Sequence, residues 1–287
     1  MATQALINRP DMYYHHTVDQ NPDSGRLHCH AQYELYYFIG GEGEYYIEGS
    51  RIMLEPHTLV LLRPAVFHFF HLTGNSSYER CALHFSGEGL PADDWRLFTE
   101  LTGHKAIQAD HLTVIPLGNW PEMQNLFNKM NQVCQLPTDE LRMISRSILL
   151  EMLARLVSYF RRWHQDPIPA QPVKRTLTSE VTDYLNAHLP ESISLDELAN
   201  QFFVSKYHLC RTFKRSTGAT VLEYLTQKRV LLARSLLEQG LLPKHASIQC
   251  GFTDYSSFYR AFKKYVGLSP RQYEQKLAAH EMEPYRH

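Results

Sequence analysis

The chain lacks any run of about 18 apolar residues, the length a helix needs to cross a bilayer, so no membrane partner is expected. Its start, Met1 to His16, has no basic stretch followed by an apolar one and does not read as a secretion signal. Cysteine is scarce: five residues, at positions 29, 81, 134, 210 and 250, odd in number and never spaced C-x-x-C. This argues against a disulfide framework and a zinc ribbon, and fits a reducing cytoplasm. G-x-S-x-G, His-Glu-x-x-His and a phosphate-cradling glycine loop are also missing, so no catalytic residue is named and no enzyme, cofactor or metal is expected. Gly40-Gly41-Glu42-Gly43 reads as a hairpin turn rather than a nucleotide loop.

An excess of one charge sign is absent overall, with 29 Lys and Arg against 30 Asp and Glu. The balance hides an asymmetry. Residues 1–173 hold 13 basic and 19 acidic residues, and residues 174–287 hold 16 and 11. A polyanion partner is therefore suggested for the C-terminal third alone. The length of 287 residues suggests about two domains.

The first part reads as strands. His30–Ile47 is rich in aromatic and β-branched residues and is broken at Gly40-Gly41 and Gly43; Leu59–Leu62 and Tyr78–Phe85 are further candidates. Short strands with Gly and Pro punctuation predict a β-barrel or sandwich over residues 8–120. The period then becomes helical, in a segment spanning residues 121–165. Leu141, Ile144, Ile148, Met152, Leu156 and Phe160 recur at steps of three or four, widened by Leu149, Leu153 and Val157, which predicts one amphipathic helix over Thr138–Trp163. Its stripe suits packing on the barrel or a seam between two copies. Pro167, Pro169 and Pro172 mark residues 166–174 as an extended spacer.

Residues 175–280 contain a repeat. Arg211, Phe213, Lys214, Arg215, Gly218, Thr220 and Tyr224 match Arg260, Phe262, Lys263, Lys264, Gly267, Ser269 and Tyr273 at a constant offset of 49. A fixed period of this size means a duplicated supersecondary unit. Each unit reads as helix, turn, helix, over 194–216 and 244–266. Ser194-Leu195-Asp196-Glu197 forms a capping box, Ser205 and Asp254 cap the second helices, and Gly218 and Gly267 end them. A helix over Thr220–Gln239 joins the units.

At 100° per residue, Leu209, Phe213 and Ser216 share one edge of the first unit's second helix, opposite Tyr207, Cys210, Arg211 and Lys214. In the second unit Phe258, Phe262 and Tyr265 lie opposite Ser256, Tyr259, Arg260 and Lys263. Such outer edges suit a major groove: Arg forks onto guanine, hydroxyls donate or accept, and aromatic edges touch the thymine methyl. Two such helices on one connector fit successive grooves about 34 Å apart. A helical bundle with a solvated basic face is the rival reading.

These segments, from Leu198 to Leu237 and from Gly251 to Tyr273, resemble the paired helix-turn-helix domain of the AraC/XylS transcription regulators. By motif position the resemblance assigns base contact to Tyr207, Cys210 and Arg211, and to Tyr255, Ser256, Tyr259 and Arg260. Lys206, Lys214 and Lys263 complete the DNA-binding set. One departure is that the apolar pair usual before the second turn stands here as Ala246-Ser247.

The first half resembles the family's cupin-like sensor barrel, since His28-x-His30-x-x-x-Glu34 before Gly41 has the spacing of the first cupin motif. Pro64 to His68 gives part of the second, and His57, His71 and His84 are nearby in sequence pattern. The resemblance implies an α+β multidomain chain with a cupin-like barrel and amphipathic helices, followed by an all-α double helix-turn-helix. It also implies an activator that answers a small metabolite such as a sugar, a homodimer, duplex DNA as partner, and contact with RNA polymerase.

His28, His30, Glu34 and His68 are the effector-binding candidates. Three readings of them stay open. They could bond the hydroxyls of a polar effector, rim the strands structurally, or hold Fe, Mn, Ni or Zn. The last would make the chain a cupin metalloenzyme fused to a DNA-binding domain.

Overall fold

The computed structural model describes residues 2–19, 28–30, 32–72, 77–102, 113–118, 120–165 and 176–281. The chain divides into two compact units, Met1–Lys174 and Arg175–His287. The expected proline spacer, 166–174, lies outside the described residues.

The first unit is built on strands β1 (Ala2–Asn8), β2 (Met12–Asp19), β3 (Tyr33–Gly40), β4 (Gly43–Ile47), β5 (Ser50–Met53), β6 (Thr58–Leu62), β7 (His68–Leu72), β8 (Tyr78–Phe85) and β9 (Thr113–Pro116). They form an antiparallel six-stranded sheet, ordered β1-β2-β8-β3-β6-β9, and a three-stranded sheet, β5-β4-β7. Period-two alternation gives the large sheet two different faces. Leu35, Tyr37, Leu59, Leu61, Cys81, Leu83 and Phe85 face outward into one core. Tyr36, Phe38, Val60, Leu62, Tyr78 and Ala82 face the small sheet, where they meet Tyr45, Ile47, Ile52 and Phe70.

Among the described residues, three helices cover the outward face: α1 (Ala92–Thr102), α2 (Pro121–Val133) and α3 (Thr138–Gln165). Phe98, Met123, Leu126, Phe127, Met130, Ile148, Leu149, Met152, Leu153, Leu156, Val157 and Phe160 bury against it. The long stripe of α3 is thus used within the chain. One expected member departs from it: Ile144 is 39% exposed. There the helix runs beside a polar cluster instead of the core, and buried Ser145 accepts from Arg9 at 3.1 Å.

Several elements lie outside the strands expected from sequence. β1 begins at Ala2, ahead of residue 8, and α1 interrupts the strand region. β2, β5, β7 and β9 were also not anticipated. β2 reads as aromatic and histidine-rich, without a clean apolar alternation (MYYHHTVD), because one of its faces is polar.

The second unit is helical: α4 (Leu177–Ala187), α5 (Leu195–Gln201), α6 (Lys206–Thr217), α7 (Val221–Glu238), α8 (Pro243–Gln249), α9 (Tyr255–Val266) and α10 (Pro270–Glu281). The expected capping box at Ser194 and Glu197 is present in both directions. Thr176 and Thr220 cap α4 and α7 in the same way. Gly218 and Gly267 end α6 and α9 in the left-handed conformation, at φ +75° and +81°. The short helix expected at His245–Cys250 starts earlier, with Pro243 in its first turn. The Ala246-Ser247 pair is buried, and Ser247 keeps its hydroxyl satisfied on the Lys244 carbonyl at 2.8 Å.

Candidate functional site

In the second unit, α6 and α9 are two-edged. Leu209 and Phe213 of α6 are buried, and Phe213 meets Tyr224 of α7 edge-on at 5.6 Å between centroids. Phe258 and Phe262 of α9 are fully buried beside Val230, Ala233, Leu237 and Tyr273. The opposite edges are open. Lys206, Tyr207, Arg211 and Lys214 are exposed and Cys210 is half-buried; Tyr255, Ser256, Tyr259, Arg260 and Lys263 are exposed. Burying the apolar edge is what fixes the direction of the polar one.

Local contacts set how available each group is. Lys206 is in an ion pair with Asp196 at 2.9 Å, and Arg260 donates to Ser257 at 3.2 Å. Both are exposed contacts of little strength, which a phosphate or base edge can displace. Ser205 accepts from the His208 N–H at 3.2 Å, and Asp254 from the Ser257 N–H at 2.8 Å. The latter bond holds the Asp254 carboxyl below its usual pKa.

The ends of both helices converge on the start of α7. There Glu223 is held below the ordinary carboxylate range, first by the backbone and side chain of Thr220 and then by the charges of Lys264 and Lys214. A groove lined by Leu222, Glu223, Arg260 and Lys264 runs beside them. Sequence reading gave no signal for this shared acidic anchor.

The first unit gathers a second set of groups. Glu34 is buried, with His30 Nε2 at 2.9 Å, His68 Nε2 at 3.1 Å and His84 Nε2 at 3.8 Å. Burial alone would raise its pKa; the hydrogen bonds and charges of these histidines outweigh that and hold it well below the usual value. His28 packs its ring on His68 at 4.3 Å. All four expected residues, His28, His30, Glu34 and His68, therefore stand together.

The sequence picture needs three corrections. His28 and His68 meet at an isolated backbone bridge, so His28 and His30 do not project from a regular strand. The set whose donor atoms lie mutually within 4.8 Å is His30, Glu34 and His84, and it does not include His28 or His68. His57 is elsewhere, bonded through Nδ1 to the Tyr37 hydroxyl at 2.8 Å on the helix-covered side. His84 joins the cluster because it pairs with Glu34 across β3 and β8. Alternation along Tyr78–Phe85 carried that signal. Burial pushes His84 down to about 4 against the opposing charge of Glu34, and burial together with the charge of Arg80 pushes His15 down to about 4, so both are neutral near pH 7. Neutral imidazoles donate at one nitrogen and accept at the other.

Two family models match the chain. An AraC-like ligand binding domain covers residues 9–141 and a helix-turn-helix domain covers residues 198–276. The chain belongs to the AraC family. It is a DNA-binding transcription regulator with a ligand-binding domain. Its AraC-type relatives include the Melibiose operon regulatory protein of Escherichia coli, 24% identical over 86% of this chain and 82% of that one. The Msm operon regulatory protein of Streptococcus mutans is 24% identical over 53% of this chain and 56% of that one. Among solved structures, the DNA-binding domain of AdpA in complex with a target DNA is 28% identical. It spans 39% of this chain and all of that one, with a TM-score of 0.36.

Proposed function

We propose that this AraC-type chain is a metabolite-responsive transcription activator acting in the cytoplasm as a homodimer in contact with RNA polymerase. It reads duplex DNA with two helices. Tyr207, Cys210 and Arg211 on α6, and Tyr255, Ser256, Tyr259 and Arg260 on α9, meet base edges, while Lys206, Lys214 and Lys263 meet phosphates. The observation that supports this most is the matched pair of helices, each with a buried phenylalanine edge and an open cationic and aromatic edge.

His28, His30, Glu34 and His68 contact the effector between the two sheets. A sugar-type effector is supported by the operon names of the two relatives. Effector acts only by binding one arrangement of the regulator better than another. The test is a footprint of the full chain on promoter DNA, followed by transcription from that promoter with and without effector. Protected half-sites one helical turn apart, and output that rises with effector, support the reading. No protection against competitor DNA removes it.

A further inference from the structure

The inward face of the large sheet has a cationic row that the histidine cluster does not use. Strand register places three rows side by side on it. The first is Tyr13, His84 and Glu34; the second is His15, Ala82 and Tyr36; the third is Thr17, Arg80 and Phe38. Ala82 is the smallest residue of the nine and sits at their centre. Its methyl is buried, and His15, Tyr36, His84 and Arg80 surround it on that face.

Arg80 is the unusual member. Its guanidinium lies over the rings of Tyr36 and Tyr78, at 5.7 and 5.9 Å from their centroids. Among the described residues no ion pair within 4 Å and no hydrogen bond engages its guanidinium, although the Glu34 carboxylate is close enough to favour its charge. A half-buried guanidinium with no protein acceptor keeps donors that a ligand can use. Glu34 is already engaged by His30 at 2.9 Å. Two nitrogens nearby are also unsatisfied: His15 Nδ1 and His68 Nε2 are buried without a hydrogen bond. The Glu34 oxygen at 3.1 Å from the latter is poorly aligned for one.

We infer that the effector is a polyhydroxylated carboxylate, a sugar acid, whose carboxylate is taken by Arg80 above Ala82. This rests on the effector reading given above and narrows its chemical class. A planar guanidinium matches a carboxylate through two parallel hydrogen bonds. The surrounding imidazoles, the Tyr36 and Tyr45 rings and Glu34 are donors and acceptors suited to hydroxyls. One fixed positive charge balances one carboxylate, whereas a phosphate dianion would leave charge uncompensated. Arg80 is then the residue that separates sugar acids from neutral sugars.

The experiment is calorimetric titration of the full chain with matched probes: D-glucuronate, D-galacturonate and D-gluconate against D-glucose, D-galactose and D-glucose 6-phosphate. At least one acid should bind about tenfold or more tightly than its neutral counterpart, the scale of one lost charge-assisted pair. Arg80→Gln should erase that preference, and Arg80→Lys should keep part of it. Ala82→Leu, which adds bulk beside Arg80 without touching charge, should abolish binding; Arg80→Lys, which keeps the charge, serves if Arg80→Gln does not fold. Neutral sugars binding as well as the acids would overturn the inference and leave the effector reading standing. Preference for the phosphate would overturn it likewise. If no probe binds, the inference falls. The effector reading falls with it only if Ala82→Leu leaves promoter output in cells unchanged.

Discussion

Phe203 and Gly251 occupy the same left-handed step, two residues past the end of the first helix of each helix-turn-helix unit, at φ +54° and +86°. Only glycine takes that conformation without steric cost. Phe203 gains no burial in exchange, being 96% exposed. Phe203→Gly should therefore raise stability by about 0.5–1 kcal/mol, after allowing for the freer unfolded chain. Thermal unfolding reads this directly, and a lower melting temperature would mean that the phenylalanine is needed where it stands.

The reverse change at the second turn should be severe. A Cβ on Gly251 would lie 2.6 Å from the Leu189 carbonyl oxygen and 2.8 Å from Pro190 backbone atoms, where nothing flexible can yield. Gly251→Ala should cost about 2 kcal/mol or more, through left-handed strain and overlap together. An unchanged melting temperature would contradict the close approach of that turn to the segment after α4.

Base reading and phosphate binding separate by their sequence dependence. Arg211→Ala and Arg260→Ala should each lose about 1–3 kcal/mol of affinity and relax preference at one base position. Lys214→Ala should weaken binding to all sequences alike and lower the salt slope by about one. Gel shifts over a panel of operator variants at several salt concentrations distinguish the two. Uniform weakening by both arginine variants would remove them from the base edges.

What the sequence made legible was whatever depends on local chemistry. Caps at Ser194, Ser205 and Asp254, stops at Gly218 and Gly267, and the phenylalanine edges all follow from short-range rules, and they lie where expected. Strand Tyr78–Phe85 was equally plain. What stayed hidden depends on pairing between distant strands. Arg80 faces inward because it stands opposite Thr17 and Phe38, and no single strand reveals that. His84, which the sequence had set beside these histidines, does join the cluster, whereas His57 leaves it for Tyr37 on the other face of the sheet. β2 was missed because its inward face carries Tyr13, His15 and Thr17, which blur the apolar alternation. Ile144 shows the limit of periodicity: Leu141 before it and Ile148 after it pack on the core, yet Ile144 itself is exposed.

Arg146 shows what covers that end of α3. It donates to Asp11 Oδ2 at 3.0 Å, while Arg9 approaches the same carboxylate at 2.7 Å and also reaches Ser145. Burial by itself would raise the pKa of Asp11, but the two guanidinium contacts outweigh it and lower it below the ordinary value. A carboxyl that is more acidic in the folded state stabilises the fold above its unfolded pKa of about 3.9. That stabilisation is lost as pH falls through the lower, folded value. Asp11→Asn should therefore cost about 1–3 kcal/mol at pH 7, because two buried-side donors lose a charged acceptor. The gap between the two proteins should begin to narrow below about pH 4 and close only below the lower, folded pKa, where wild-type Asp11 takes up its own proton. Denaturant unfolding at a series of pH values measures both curves. A gap that persists undiminished to the most acid pH would show that Asp11 acts through packing and hydrogen bonding alone, and that its charge does not tie α3 to the β1–β2 turn.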